Sequence, residues 1–513
     1  MNFKKIIAAA AALTIAIPAI SVSLISNATP PIDSNNIISG DANIDYVFNL
    51  ADIVLFQRWL KGDKGLFTPY NEPGPGADTN NDGKYDIFDL IAMRRLLISD
   101  IISAPEPSFA PKAQNLCAGI KSSPQTSGIA LTDANNDLEF INSQTNFTID
   151  LFKATYNENK GQNDLISPYS VIQALGMTAN GANGKTLKEM ENVLGDGMNI
   201  SSLNRYLRGQ RESTVNTSDR AKWSFSTANS IWAINNRNLI QVLPSFIQNC
   251  VDYYNSEFYI ASFDESTVED INNWVNEKTK KMIPSILNAI EPDDVMYLVN
   301  AVAFEAEWNE PYEKYMVKNS KFTAADGTEQ DAEMMSSYEK YICDDNTQGI
   351  IKEYSGRRYA FAALLPEEST SLDKYIDELT SEKLNSLLKQ RNMTYEKADT
   401  KLPKFKFEYE NELNDELIDM GMPTAFSHNA DFSNMSAIAD INPIYIGYVK
   451  HKTFIDLDEN GTKAAAATIV AMKNESFIAK PEKELVFDRP FVFCIFDTET
   501  NIPIFIGALN SLS

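Results

Sequence analysis

Apolar residues recur at helical spacing from Ile53 to Leu60 and again from Leu90 to Ile98, each run following a stretch in which oxygen-bearing side chains alternate with others. Helical patterning returns in Asn146 to Tyr156 and Ser170 to Ala179, whereas Phe225-Ser226-Thr227-Ala228-Asn229-Ser230-Ile231-Trp232 and Phe361-Ala362-Ala363-Leu364-Leu365 read as strands. Near the end, Phe491-Val492-Phe493-Cys494-Ile495-Phe496 and Ile504-Phe505-Ile506-Gly507 read as two buried strands joined by a turn. Mixed helices and strands over residues 139–513 predict an α+β domain with a substantial sheet.

Between the last two groups lies a run without bulk, Glu459-Asn460-Gly461-Thr462-Lys463-Ala464-Ala465-Ala466-Ala467-Thr468. Small residues that begin at a glycine change conformation at little cost and would not obstruct entry into a sheet. As a strand, Thr462, Ala464, Ala466, Thr468, Val470 and Met472 would face one side. Lys463, Ala465, Ala467, Ile469, Ala471 and Lys473 would face the other, so both lysines fall on one face and the opposite face can be buried. The window alone equally fits a helical or disordered alanine-rich linker, because alanine is the best helix former.

Charge narrows the partners. The chain carries 70 acidic against 45 basic residues, a formal charge of -25, which argues against nucleic acid and anionic membranes. Met1-Asn2-Phe3-Lys4-Lys5, followed by a nearly unbroken apolar run from Ile6 to Ile20, reads as a secretory signal over residues 1–28, with Ser26-Asn27-Ala28 offering cleavage. The alternative is an uncleaved anchor of borderline length. No cysteine stands near the cleavage site for lipid attachment, and no other span looks transmembrane, so no membrane insertion is expected after cleavage. The expectation is a secreted, extracellular protein. Cys117, Cys250, Cys343 and Cys494 are widely scattered in a chain large enough to need no staples and read as free thiols. With only His428 and His451, a histidine-based zinc or catalytic site is nearly excluded, and with it most hydrolase mechanisms that need a histidine base.

Two segments repeat at a spacing of 37 residues. Asp41, Asn43, Asp45, Asn49 and Asp52 in the first, and Asp78, Asn80, Asp82, Asp86 and Asp89 in the second, stand at places one, three, five, nine and twelve of an EF-hand loop. The carbonyl at place seven, Val47 or Lys84, would complete the shell round a hard cation. Place twelve is Asp rather than Glu, and no matching helix precedes the first loop. Gly83 suits the sharp turn at place six, whereas Tyr46 must bear an unfavourable backbone there, so the second site should bind calcium more tightly. An Asp/Asn-rich surface loop without an ion is the competing reading. Residues 101–138 are rich in Pro, Ser, Ala, Asn and Gly and read as a flexible linker.

The duplicated loop-helix unit over residues 36–100 resembles a type I dockerin, an all-α calcium module that docks onto cohesin modules of a scaffold. That resemblance implies two calcium ions, a cohesin partner, and partner choice by the residues at places ten and eleven, here Leu50, Ala51, Ile87 and Phe88. Helix-core packing is the alternative role for those four. The two pairs differ, so binding in two interchangeable orientations is not implied.

Residues 139–513 resemble the serpin family through Ile166-Ser167-Pro168-Tyr169-Ser170, Ile271-Asn272-Asn273-Trp274-Val275 with Thr279, Leu298-Val299-Asn300-Ala301 with Trp308, Leu402-Pro403-Lys404-Phe405, Ala430-Asp431-Phe432-Ser433 and Phe487-Asp488-Arg489-Pro490-Phe491. The resemblance implies a fold of large mixed and antiparallel sheets with surrounding helices and an exposed reactive loop. It also implies an inhibitor of serine proteases rather than an enzyme: the protease attacks the loop, and the freed loop enters the main sheet with the acyl-enzyme attached. Glu459, Gly461, Thr462 and Ala464 to Ala467 would form the hinge, and Ser167, Ser170, Asn300 and His451 the polar shutter beneath the parting sheet. His451 would then be neither ligand nor base. Counting the family's sixteen residues on from Glu459 puts the scissile bond at Glu475-Ser476, bait for an acid-specific protease. The segment down to Pro490 is longer than usual, which leaves Met472, Lys473 and Phe477 open. A non-inhibitory serpin on the same tether, and a dockerin-borne hydrolase, are the competing classes.

Overall fold

The computed structural model describes residues 38–39, 41–44, 48, 50–67, 72–80, 82–103, 112–123, 127–129, 137–215, 221–291, 294–393, 396–462 and 483–512. The chain divides into two units, residues 1–108 and 109–513. The signal segment 1–28 lies outside the described residues, among which no helix is long and apolar enough to cross a membrane.

In the first unit, α1 (Leu50–Leu60) and α2 (Ile87–Ser103) each extend beyond the apolar runs that predict them. Both meet over a small core of Ala42, Ile53, Phe56, Phe67, Ala77, Leu90 and Met93. Trp59 stacks on Phe56 at 6.2 Å, Tyr85 turns its edge to both rings, and Arg94 Nη2 donates to Gln57 Oε1 at 3.0 Å.

The helices of the second unit include α3 (Leu138–Glu158), α4 (Pro168–Ala179), α5 (Gly184–Gly195), α6 (Ile200–Ser213), α7 (Pro244–Asn249), α8 (Glu265–Lys278), α9 (Leu372–Glu378), α10 (Ser381–Lys389) and α11 (Asn414–Asp419). Its strands begin with β1 (Gln114–Asn115), β2 (Asp164–Ile166), β3 (Trp223–Ile234), β4 (Glu257–Ala261) and β5 (Met296–Glu307). Then come β6 (Val317–Thr323), β7 (Glu329–Cys343), β8 (Thr347–Glu353), β9 (Tyr359–Pro366), β10 (Lys397–Pro403) and β11 (Phe405–Glu412). The series ends with β12 (Lys450–Leu457), β13 (Gly461–Thr462), β14 (Lys483–Val486), β15 (Phe491–Asp497) and β16 (Pro503–Leu509).

One sheet has the order β1-β4-β3-β5-β13-β12-β11; the other runs β14-β10-β7-β8-β9-β15-β16-β2, with β6 on β7. Strands β9, β15 and β16 are buried at every position, as their unbroken apolar runs require when both faces are covered. By contrast β12 alternates: His451, Thr453, Ile455 and Leu457 turn inward, while Lys450, Lys452, Phe454 and Asp456 are half-buried. Helix α4 is buried along its whole length. Pro168 starts it, and the Ser167 side chain accepts its Ser170 N–H.

The segment read as a linker behaves otherwise. Helix α2 runs into it as far as Ser103, and Ala113 to Ser123 and Ile129 hydrogen-bond to the rest of the second unit. There β1 pairs antiparallel with β4, Leu116 N–H reaches Phe258 O at 2.6 Å, and Ala113 N–H reaches Asp270 Oδ2 at 2.9 Å. Ser123 N–H donates to Asp252 Oδ1 at 2.6 Å, and Ile129 N–H to Arg205 O at 2.9 Å. An open sheet edge offers unpaired backbone groups that a polar, low-periodicity segment can satisfy as well as a strand of strong pattern.

Candidate functional site

Strands β5 and β12 bound a slot. Both are antiparallel to β13, and at the lower end Leu298 of β5 bridges Val449, the residue before β12. At the upper end β13 lies between them, with Gly461 opposite Glu307, and Thr462 opposite both Ala306 and Leu457. The turn into it is tight: Asp458 Oδ1 accepts from the N–H groups of Asn460 at 2.7 Å and Gly461 at 3.2 Å. Glycine is required at 461, because a Cβ there would sit 1.9 Å from Ala306 O.

Thr462 is only 3 % exposed, and its hydroxyl lies 2.5 Å from that of Tyr354. Tyr354 stacks on Trp308 at 4.4 Å. Burial pushes its phenol far above the ordinary range, so it stays a neutral hydrogen-bonding group. Trp308 holds the turn twice, through N–H to Asn460 O at 2.8 Å and Nε1–H to Asp458 O at 2.9 Å, and Tyr312 N–H reaches Glu459 O at 2.9 Å. Lys404 Nζ meets Glu459 Oε2 at 2.7 Å and Glu333 Oε2 at 3.6 Å. Partial burial opposes charge on both Lys404 and Glu459, but their mutual hydrogen bond and attraction raise the lysine and lower the carboxylate.

Of the predicted hinge, Glu459, Gly461 and Thr462 are thus brought to the mouth of the slot. Ala464, Ala465, Ala466 and Ala467, with Glu475, Ser476, Met472, Lys473 and Phe477, lie outside the described residues. Sequence reasoning missed Tyr354 and Tyr312 as partners of the hinge. Tyr354 stands 108 positions from Thr462, and neither tyrosine has a local pattern that marks it. Trp308 and Lys404 do stand within the motifs quoted above.

Below the slot, Ser167 N–H donates to His451 Nε2 at 3.0 Å, Ser167 Oγ–H to Ile504 O at 2.8 Å, and Ser170 N–H to Ser167 Oγ at 3.3 Å. Burial pushes the His451 imidazole down to about 4, so Nε2 is a neutral acceptor, in keeping with a structural rather than ligating role. Asn300 departs from the expected cluster. Its Nδ2 donates to Asn229, directly opposite on β3, and no hydrogen bond joins it to Ser167, Ser170 or His451 among the described residues. Asn300 Oδ1 is buried without a hydrogen-bond partner among the described residues.

In the first unit, Asp45, Val47 and Asn49 lie outside the described residues. Asp52 Oδ1 accepts from Ala42 N–H at 3.0 Å and Asn43 N–H at 3.2 Å, and Asp41 Oδ1 from Ile44 N–H at 2.8 Å. The strain in this loop includes Ile44, at φ 62°, an outlying conformation for a branched residue. In the second loop Asp78 accepts from Asp82 N–H at 3.1 Å and Gly83 N–H at 2.9 Å, and Gly83 makes its turn at φ 76°. Asn80 accepts from Asp82 N–H at 2.9 Å, Asp82 from Lys84 N–H at 2.9 Å, Asp86 from Phe88 N–H at 2.7 Å, and Asp89 from Asp86 N–H at 3.0 Å. Among the described residues, no three Asp, Glu, His or Cys side chains converge as a metal cluster; the loop acids hold backbone N–H groups. Ile87 is 54 % and Phe88 65 % exposed, so both stand outside the helical core, and Ala51 is exposed as well; the Leu50 side chain is not among those described. Cys117, Cys250 and Cys494 are buried and Cys343 is exposed, all as free thiols.

Residues 142–512 match the family described as Serpin (serine protease inhibitor). The chain is 32 % identical to Serpin B6 of Macaca fascicularis, over 71 % of this chain and 97 % of that protein. It is 30 % identical to the leukocyte elastase inhibitor of Bos taurus, over 72 % and 98 % respectively. Among solved structures it is similar to the thermophilic serpin tengpin in the native state, at 42 % identity and a TM-score of 0.70, covering 78 % of this chain and all of that one.

Proposed function

The chain belongs to the serpin family, a family of serine protease inhibitors rather than enzymes, and from that premise we propose a secreted suicide substrate tethered through its N-terminal unit to a cohesin-bearing scaffold. The dockerin-borne hydrolase reading falls with the family. The observation that carries the inhibitory reading is β13. Gly461 and Thr462 already occupy the first positions of a strand between β5 and β12, so cleavage downstream frees a segment whose next inward residues are Ala464 and Ala466. The target's serine attacks the scissile carbonyl, the bond to the following nitrogen breaks, and an ester joins the two proteins. Backbone pairing along the slot and burial of the small inward face then drive insertion with the ester intact. Glu475-Ser476 is the proposed bond, with Met472, Lys473 and Phe477 as the other positions. A panel of glutamyl-specific, subtilisin-like, elastase-like, trypsin-like and chymotrypsin-like proteases tests this. At least one should give a denaturant-resistant complex and a C-terminal fragment beginning at Ser476. Clean cleavage by all of them would favour the non-inhibitory reading.

The tether rests on the doubled oxygen spacing, on the turn at Gly83, and on the exposure of Ile87 and Phe88. Hard oxygen donors of this kind suit calcium, two ions in all, held by Asp41, Asn43, Asp45, Val47, Asn49 and Asp52 and by Asp78, Asn80, Asp82, Lys84, Asp86 and Asp89. Leu50, Ala51, Ile87 and Phe88 are the proposed cohesin contacts, and protection of the scaffold from proteolysis the proposed role. Secretion rests on the apolar segment 1–28.

A further inference from the structure

Beneath the hinge lies a buried cation to which the mechanism above gives no part. Lys352 in β8 is 3 % exposed, and its Nζ lies 2.5 Å from Glu339 Oε1 in β7, a carboxylate that also accepts from Ser337 Oγ–H at 2.7 Å. A buried ion pair adds little to stability over an apolar pair of the same size, so stability alone does not explain it. The ammonium also faces two rings, with the Tyr312 centroid 4.2 Å away and the Trp308 centroid 5.5 Å away, both within cation–π range. These are the same two residues whose N–H groups hold the carbonyls of Asp458, Glu459 and Asn460. Trp308 in turn stacks on Tyr354, whose hydroxyl meets Thr462.

We propose that Lys352 is a positioning residue for loop insertion: its ammonium, neutralised by Glu339 and facing the Trp308 and Tyr312 rings, holds the Trp308 ring so that its Nε1–H meets Asp458 O, and keeps Tyr312, whose backbone N–H meets Glu459 O, packed beside it. An apolar side chain would fill the same space but would not favour one ring orientation over another, whereas a cation is attracted to the ring face. The proposal rests on the inhibitory reading and deepens it.

The test compares the full chain with Lys352→Met, Lys352→Arg and the double variant Lys352→Met/Glu339→Met. The double variant replaces the pair by apolar groups and should be at least as heat-stable as the parent. A synthetic peptide copying Thr462 to Lys473 serves as probe, and its rate of entry into the sheet is followed by native mass spectrometry without any protease. The double variant should take up peptide about tenfold more slowly despite its stability, and Lys352→Arg should recover most of the rate. With a protease that the parent traps, the double variant should shift from covalent complex toward free cleaved inhibitor by a similar factor. If it takes up peptide and traps protease as the parent does, the positioning role is overturned. If peptide entry depends on Lys352 but the parent traps no protease, the role stands and the inhibitory reading fails instead.

Discussion

Thr462 is buried, with its hydroxyl against that of Tyr354, and would be the first side chain of the proposed inserting segment. Thr462→Arg would force a guanidinium against Tyr354 and Trp308 at a cost of several kcal/mol, about the penalty of an unpaired buried charge. The expected outcome is a protein that is cleaved as a substrate and forms no covalent complex, read on a denaturing gel. Asp164 makes a separate prediction. It is wholly buried where α3, β2, β11 and α11 meet, faces the Thr155 and Tyr409 hydroxyls, and makes no ion pair among the described residues. Burial pushes its carboxyl from 3.8 up to about 8; the Thr155 and Tyr409 hydroxyls facing it pull the other way, and Glu416 adds to the rise. The native state therefore holds a proton that the unfolded chain releases, and stability falls as pH rises from 3.8 to about 8. His451 has the opposite sign: burial lowers it from 6.5 to about 4, so stability falls as pH drops through that window. Between about 4 and 6.5 the two contributions oppose each other, so in the parent the thermal midpoint should fall between 6.5 and about 8, and Asp164→Asn should flatten that fall and uncover the rise that His451 gives between about 4 and 6.5.

At the scale of elements, residues 112–123 and 127–129 tie three parts of the large unit together: β4 through β1, α8 through Asp270, and α6 through Arg205. Their hydrogen bonds cap an open sheet edge, and Cys117 joins the core, where burial pushes its thiol up to about 11. Removing residues 109–129 from the second unit should lower its thermal midpoint by several degrees, the shift that about 2 kcal/mol produces in a large domain. An unchanged midpoint would mean that these residues only lie on the surface. Helices α1 and α2 carry another test. Because the oxygen spacing of the loops before them suits calcium, the ion should raise the first unit's stability, and Asp78→Ala should weaken that response more than Asp41→Ala. Calorimetry with no uptake of calcium would remove the ion from this account.

For the whole molecule, the proposed insertion of the cleaved loop between β5 and β12 implies that the intact fold is the higher-energy arrangement of its own sheet. A full strand placed there would pair with both neighbours, adding ladder hydrogen bonds along its length. Cleavage anywhere within residues 463–482 is therefore expected to raise the thermal midpoint of the second unit rather than lower it, even with a protease that is not trapped. A cleaved form that melts at or below the intact one would contradict insertion.

The sequence by itself determined what depends on local pattern. The buried strands β15 and β16, the helices α3 and α4, and the oxygen spacing of the two loops were legible, because period and spacing are properties of neighbouring residues. Ser167 against His451 was legible only through the family's motifs. Tertiary structure decided everything that joins distant residues: the Tyr354 hydroxyl against Thr462, Lys352 under two rings, Asn300 turned toward Asn229, and a presumed linker completing a sheet edge. None of these is written in a period, since a polar side chain or a low-pattern segment is stable in several places. Its position is chosen by which unpaired donor, ring face or strand edge the rest of the fold brings within reach.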